Sequence, residues 1–127
     1  MTNSTFFQTG IGGFVAIALM LPSAPILGDL LTFDIRISER EVIAPSDQLI
    51  RATHDDLVVL RFSSDESGEL HLHGYDIKIE LKPDAATEVR FEAAATGRFP
   101  FTSHGFGDEH GHSHGHGALM YLEVYPD

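Results

Sequence analysis

The sequence predicts an all-β fold, an antiparallel β-sandwich, and two observations carry that prediction. From residue 31 onward, apolar and polar residues alternate with period two in short runs, the pattern of half-buried strands. Turn-forming residues break these runs at intervals of roughly 8–12 residues, and no stretch of the same region repeats with the 3.6-residue period of a helix. About seven or eight strands are expected on this pattern. The length of 127 residues suits one domain.

The first run, 31–37, alternates Leu31, Phe33, Ile35 and Ile37 with polar partners. A short strand at 41–44 stops at Pro45 and Ser46, and another follows at 48–52. The turn 53–56, Thr53-His54-Asp55-Asp56, is made of residues that favour turns. His54 is expected there as a solvent-exposed side chain. The run 57–62 is the clearest strand, with Val58, Leu60 and Phe62 on one face. After the polar loop 63–68 comes Glu69-Leu70-His71-Leu72-His73-Gly74-Tyr75-Asp76. Further alternating runs lie at 77–81 and at 87–93, the second turning Val89, Phe91 and Ala93 inward. Segment 98–102 is a strand containing Pro100, which points to an edge or a strand end, since proline lacks the ladder N–H. The last strand is 119–124, in which Met120 alternates with Leu122 and Val124 as core.

Residues 1–28 form a separate unit. They carry no charged side chain, and the apolar run 11–21 is followed by Pro22-Ser23-Ala24-Pro25. That resembles the apolar region and small-residue site of an export signal, although the usual Lys or Arg before it is missing. A membrane anchor needs about 20 apolar residues, and the prolines shorten this run below that. Export with cleavage near Ala24 is the expectation, leaving a domain over 31–127 in the periplasm or outside the cell. An uncleaved anchor or a mis-assigned start codon are the alternatives.

Acidic residues outnumber Lys and Arg by 19 to 8, for a formal charge of −11. Phosphate binding needs clustered cations, so nucleic acid and anionic membrane surfaces are not expected partners. A metal ion is. The chain has no cysteine, hence no disulfide, no thiolate nucleophile and no thiolate ligand.

The chemistry lies in the histidines. Residues two apart on a strand leave the same face, so His71 and His73 are expected side by side as two imidazole ligands. The segment 103–117 holds five more: His104, His110, His112, His114 and His116. His104 sits at its start, where the preceding strand still holds the backbone. The other four alternate with glycine and serine, a composition that binds metal flexibly and equally suits a solvated loop. Three or four imidazoles suit copper first, then zinc or nickel. Each coordinates only when neutral, so binding is expected to weaken below about pH 6. Asp76, Asp108 and Glu109 are candidate acceptors that would fix a ring tautomer. Tyr75 and Phe106 read as packing residues, and Asp76 also as a turn former.

From about 31 to 126 the chain resembles the cupredoxin family. An acidic turn at Asp55-Asp56 precedes an apolar strand, a His-bearing strand follows, and Gly97-Arg98-Phe99-Pro100-Phe101 stands before a ligand loop and a final strand. The form His-x-His-Gly-Tyr-Asp at 71–76 is similar to small exported cupredoxin-like proteins. The resemblance implies a Greek-key sandwich, with the site where the histidine strand and the last loop meet. A blue-copper centre requires a Cys thiolate beside two histidines; here the region reads Phe101-Thr102-Ser103-His104.

These features favour an exported metal-binding protein for storage, delivery or tolerance, with another metal-handling protein as a candidate partner. Catalytic patterns are missing: there is no placeable Ser-His-Asp set, no phosphate loop and no His-Glu-x-x-His. An enzyme is therefore not expected. Two other readings remain open, an electron-transfer cupredoxin with an unusual Cys-free site and a metal-free structural or interaction module.

Overall fold

The structure, a computed structural model, describes residues 28–106 and 117–127. The expected leader cleavage and His110, His112, His114 and His116 lie outside those residues. The described residues form nine strands: β1 (Leu30–Ser38), β2 (Glu41–Ala44), β3 (Leu49–Thr53), β4 (Leu57–Ser64), β5 (Gly68–Leu72), β6 (Ile77–Leu81), β7 (Thr87–Glu92), β8 (Gly97–His104) and β9 (Met120–Tyr125). They build two sheets, ordered β2-β1-β4-β7 and β3-β9-β8-β5-β6.

The alternation of the sequence is what closes the sandwich. Ile35 and Ile37 of β1, Val58, Leu60 and Phe62 of β4, and Leu70 and Leu72 of β5 all turn inward and are buried. Phe62 meets Phe101 across the sheets with ring centroids 6.3 Å apart. Complete burial of side chains of this size contributes about 1.5–3 kcal/mol each. Met120, Leu122 and Val124 are buried, so Met120 is a core residue.

Two pairings are parallel, β1 with β4 and β3 with β9. Each joins strands distant in the chain, so alternation alone could not reveal the direction. The expectation for the proline-bearing strand is corrected more sharply. β8 is not an edge but lies inside its sheet, between β9 and β5. The N and O of one strand residue point to the same neighbour, and Pro100 O accepts from His73 N–H at 3.0 Å. The missing Pro100 N–H therefore falls opposite His73, one residue past the end of β5 at Leu72, so the single bond forgone is the reciprocal one to His73 O and the pairing with β9 is untouched.

Asp56 fixes the turn between β3 and β4. Its buried carboxylate accepts from the backbone N–H of Thr53 at 2.7 Å and of Asp29 at 2.8 Å. The carboxylate thereby ties the turn to the segment that precedes β1.

Candidate metal centre

β5 turns Leu70 and Leu72 into the core, so Glu69 and His71 face outward from the five-stranded sheet. His73 is not in the strand; it is the first residue of the turn 73–76 that leads into β6. Gly74 and Asp76 adopt φ of 86° and 54° there, which bends the chain back within four residues. The turn nevertheless brings the rings together, with His71 and His73 centroids 4.3 Å apart and the planes tilted by 54°.

Each ring has one nitrogen engaged. His71 Nε2 lies 2.9 Å from Asp76 Oδ1. An ionised carboxylate only accepts, so this Nε2 carries the hydrogen and Nδ1 keeps its lone pair. Aspartate thus acts both as turn former and as the acceptor that sets the tautomer, the arrangement found behind metal-bound histidines. His73 Nε2 lies 2.8 Å from Thr102 Oγ1, a hydroxyl that can serve in either sense. Among the described residues, no further hydrogen bond engages Nδ1 of either ring.

His104 ends β8 on the same sheet face. Across the β5–β8 ladder, Glu69 stands opposite His104 and His71 opposite Thr102. His71 and His104 are therefore diagonal neighbours, about 7–8 Å apart between Cα atoms. The loop carrying the other histidines leaves from beside the start of β5, whereas His73 lies past its end. The site that results is open: His71 has a side chain 21% exposed, and His104 is exposed on the outer surface. Asp108 and Glu109 lie outside the described residues.

Tyr75 and Phe106 pack, as expected. Tyr75 stacks between Phe91 and Phe99 at 5.1 and 4.9 Å, and its hydroxyl donates to Ala95 O at 2.7 Å. Burial pushes this phenol above the ordinary tyrosine range, against the lowering effect of the backbone contact. Phe106 covers Gly68, where a Cβ would lie 2.9 Å from its ring.

The sequence reading missed a second cluster. Among the described residues, the set of three His, Asp or Glu side chains with donor atoms all within 4.8 Å of one another is His54, Asp55 and Asp127. His54 is half-buried rather than freely exposed, and its Nε2 lies 3.2 Å from Ala94 O. The available signal was the acidic turn itself; what brings Asp127 to it is the parallel β3–β9 pairing.

A blue-copper centre does not fit these residues, because a thiolate is required and the sequence holds no Cys. The paired imidazoles are two nitrogen donors of a type that copper and zinc accept, but His71, His73 and His104 do not bring three donor atoms within 4.8 Å of one another.

No family model matches the sequence, and no curated protein matches it. Solved structures do match. A chain of a heme-copper terminal oxidase dimer is 16% identical with a TM-score of 0.62, over 76% of this chain and 65% of that one. A blue copper oxidase from Nitrosomonas europaea is 16% identical with a TM-score of 0.55, over 78% of this chain and 40% of that one. The periplasmic domain of subunit II of cytochrome oxidase (CoxB) of Bradyrhizobium japonicum is 17% identical with a TM-score of 0.53, over 79% and 86%. The chain thus spans less than two thirds of the first two of these proteins. At such identities the likeness is one of fold, and the fold is a cupredoxin-like β-sandwich.

Proposed function

We propose that this chain is an exported metal-binding protein, taking copper first and zinc second, that stores, delivers or detoxifies the metal. The observation that carries the reading is the pair of imidazoles 4.3 Å apart, His71 with its tautomer set by Asp76. His104 supplements them from the neighbouring strand, and His110, His112, His114 and His116 add donors from the loop. A bound Zn(II) would supply Lewis acidity and charge, and a bound copper ion a one-electron couple as well. The work of the chain is to present neutral nitrogens and to neutralise the cation with its formal charge of −11.

The role is binding, not catalysis. An open surface site suits transfer to a second metal-handling protein, because an incoming ligand can reach the metal without the core moving. Export to the periplasm or beyond is supported by the uncharged apolar segment 1–28 and by a fold shared with a periplasmic oxidase domain. No helix of the described residues is long and apolar enough to cross a membrane. Without a thiolate, electron transfer would need a different copper site; it predicts reversible redox cycling of the copper-loaded chain.

Calorimetric titration of the untagged chain with Cu(II), Cu(I) and Zn(II) tests the proposal. Saturable binding tighter than about 1 μM is expected; its absence would reject the reading. A specific observation favours one rival: both Nε2 atoms already have protein partners, as structural histidines would. H71A/H73A decides between them. A metal-free module with structural histidines loses stability but shows no change in metal binding, whereas the proposal requires loss of the tight equivalent.

A further inference from the structure

We infer that His54, Asp55 and Asp127 form a second, separate site for a borderline divalent cation of the zinc class. The turn that carries the first two is fixed from three sides. His54 N–H donates to Tyr125 O at 2.8 Å, Asp55 N–H to Ala93 O at 3.1 Å, and Gly28 N–H to Asp55 O at 3.1 Å. The parallel register sets Thr53 beside Tyr125, so both strands exit at the same place and Asp127 comes alongside the ring.

The orientation of the ring is the second observation, because it turns Nδ1 toward both carboxylates. Ala94 O can only accept, so His54 Nε2 must carry the hydrogen in the contact at 3.2 Å. In the neutral ring the Nδ1 lone pair then faces Asp55 Oδ1 at 3.2 Å and Asp127 Oδ2 at 3.9 Å. Three donor atoms thus converge within 4.8 Å of one another, an arrangement made favourable either by a proton on Nδ1 or by a divalent cation in its place. Ligating histidines commonly donate their other N–H to a backbone carbonyl in this way.

The spacing selects among cations. Zinc bonds to N and O of about 2.0–2.1 Å imply a tetrahedral edge of about 3.3 Å. The His54–Asp55 separation of 3.2 Å matches it. Asp127, with a side chain 72% exposed, can close its 3.9 Å gap by rotating. Nitrogen in the donor set disfavours calcium and magnesium, which take oxygen. The recess over the cluster, lined by Gly28, His54, Asp55 and Asp127, leaves a fourth position for water or a ligand from another molecule. Two carboxylates and a neutral imidazole leave a divalent ion with no net charge to bury. This site owes nothing to the histidines at 71–116.

The test is the full chain with His71, His73, His104, His110, His112, His114 and His116 changed to Ala, which leaves His54 as the single histidine of the original eight. It should bind one zinc ion more tightly than about 0.1 mM, and adding H54Q or D127N should weaken that at least about tenfold. In the unaltered chain, zinc should move the His54 Nδ1 resonance in nitrogen NMR and D127N should abolish the response; this arm stands even if the stripped chain fails to fold. A His54 ring that responds to pH and not to zinc, the signature of a simple imidazolium–carboxylate pair, overturns the inference. So does zinc binding indifferent to H54Q and D127N.

Discussion

Replacing Gly74 by alanine should be far more damaging than replacing Gly105, although both glycines have positive φ, 86° and 70°. Alanine in the left-handed region costs about 1–2 kcal/mol at either position. At Gly74 a Cβ would also run into the Phe99 ring, which is itself held edge-on against Tyr75. Forcing a packed ring to move adds about 1–3 kcal/mol. At Gly105 a Cβ would meet nothing within 4 Å, so the backbone cost stands alone. Stiffening of the unfolded chain returns about 0.4–1 kcal/mol in both cases. The balance is about 2–4 kcal/mol for G74A against about 1 kcal/mol or less for G105A. At about 4–8 °C per kcal/mol for a domain near 100 residues, the thermal midpoint followed by circular dichroism should fall by roughly 8–32 °C in the first variant and by less than about 8 °C in the second. Equal losses would refute the role given to Phe99. Because residue 74 separates His73 from Asp76, G74A should also weaken copper binding where G105A does not.

Three other outcomes follow from the same contacts. D76N should lower copper affinity by about 10–100-fold without unfolding the domain, because Asp76 is 93% exposed and matters through the His71 tautomer; calorimetry checks this. F101A, at the centre of both sheets, should cost about 3–5 kcal/mol in urea unfolding. Tyr75 governs the alkaline limb. Burial raises its pKa in the fold, so its contribution is complete below the unfolded value of about 10 and is lost as pH rises toward the folded value. Urea midpoints measured between pH 8 and 11 should therefore decline less steeply in Y75F than in the parent chain.

The sandwich was legible because burial follows alternation: Val58, Leu60 and Phe62 are on one face in the sequence and in the core of the structure. Strand direction and order were not, since no local rule distinguishes Ile50 beside Leu122 in parallel from the same pair antiparallel. Pro100 shows why a local rule fails in a global setting; its missing donor falls at the end of the β5 pairing, where only one bond, to His73 O, is forgone. His71 and His73 were legible as neighbours, although the two-residue rule assumed a strand and the structure supplies a turn. Their partners Asp76 and Thr102 divide in the same way. Asp76 is five residues from His71 and could be nominated, while Thr102 reaches His73 only through the β5–β8 ladder. The His54 cluster was illegible for the reason the parallel pairs were.

β8 and β9 are paired to the last rung, with Leu119 N–H closing on Phe101 O at 2.8 Å. The β8–β9 pairing therefore closes at Phe101 and Leu119 and does not draw on the residues between them. Doubling the length of a connection between paired strands costs only about 0.6 kcal/mol in closure entropy. On the function proposed above, the histidine content between these two strands would set the metal capacity while leaving the β8–β9 pairing as it is. Residues 71 and 73 have no such freedom, because the hairpin they sit on is one of the walls.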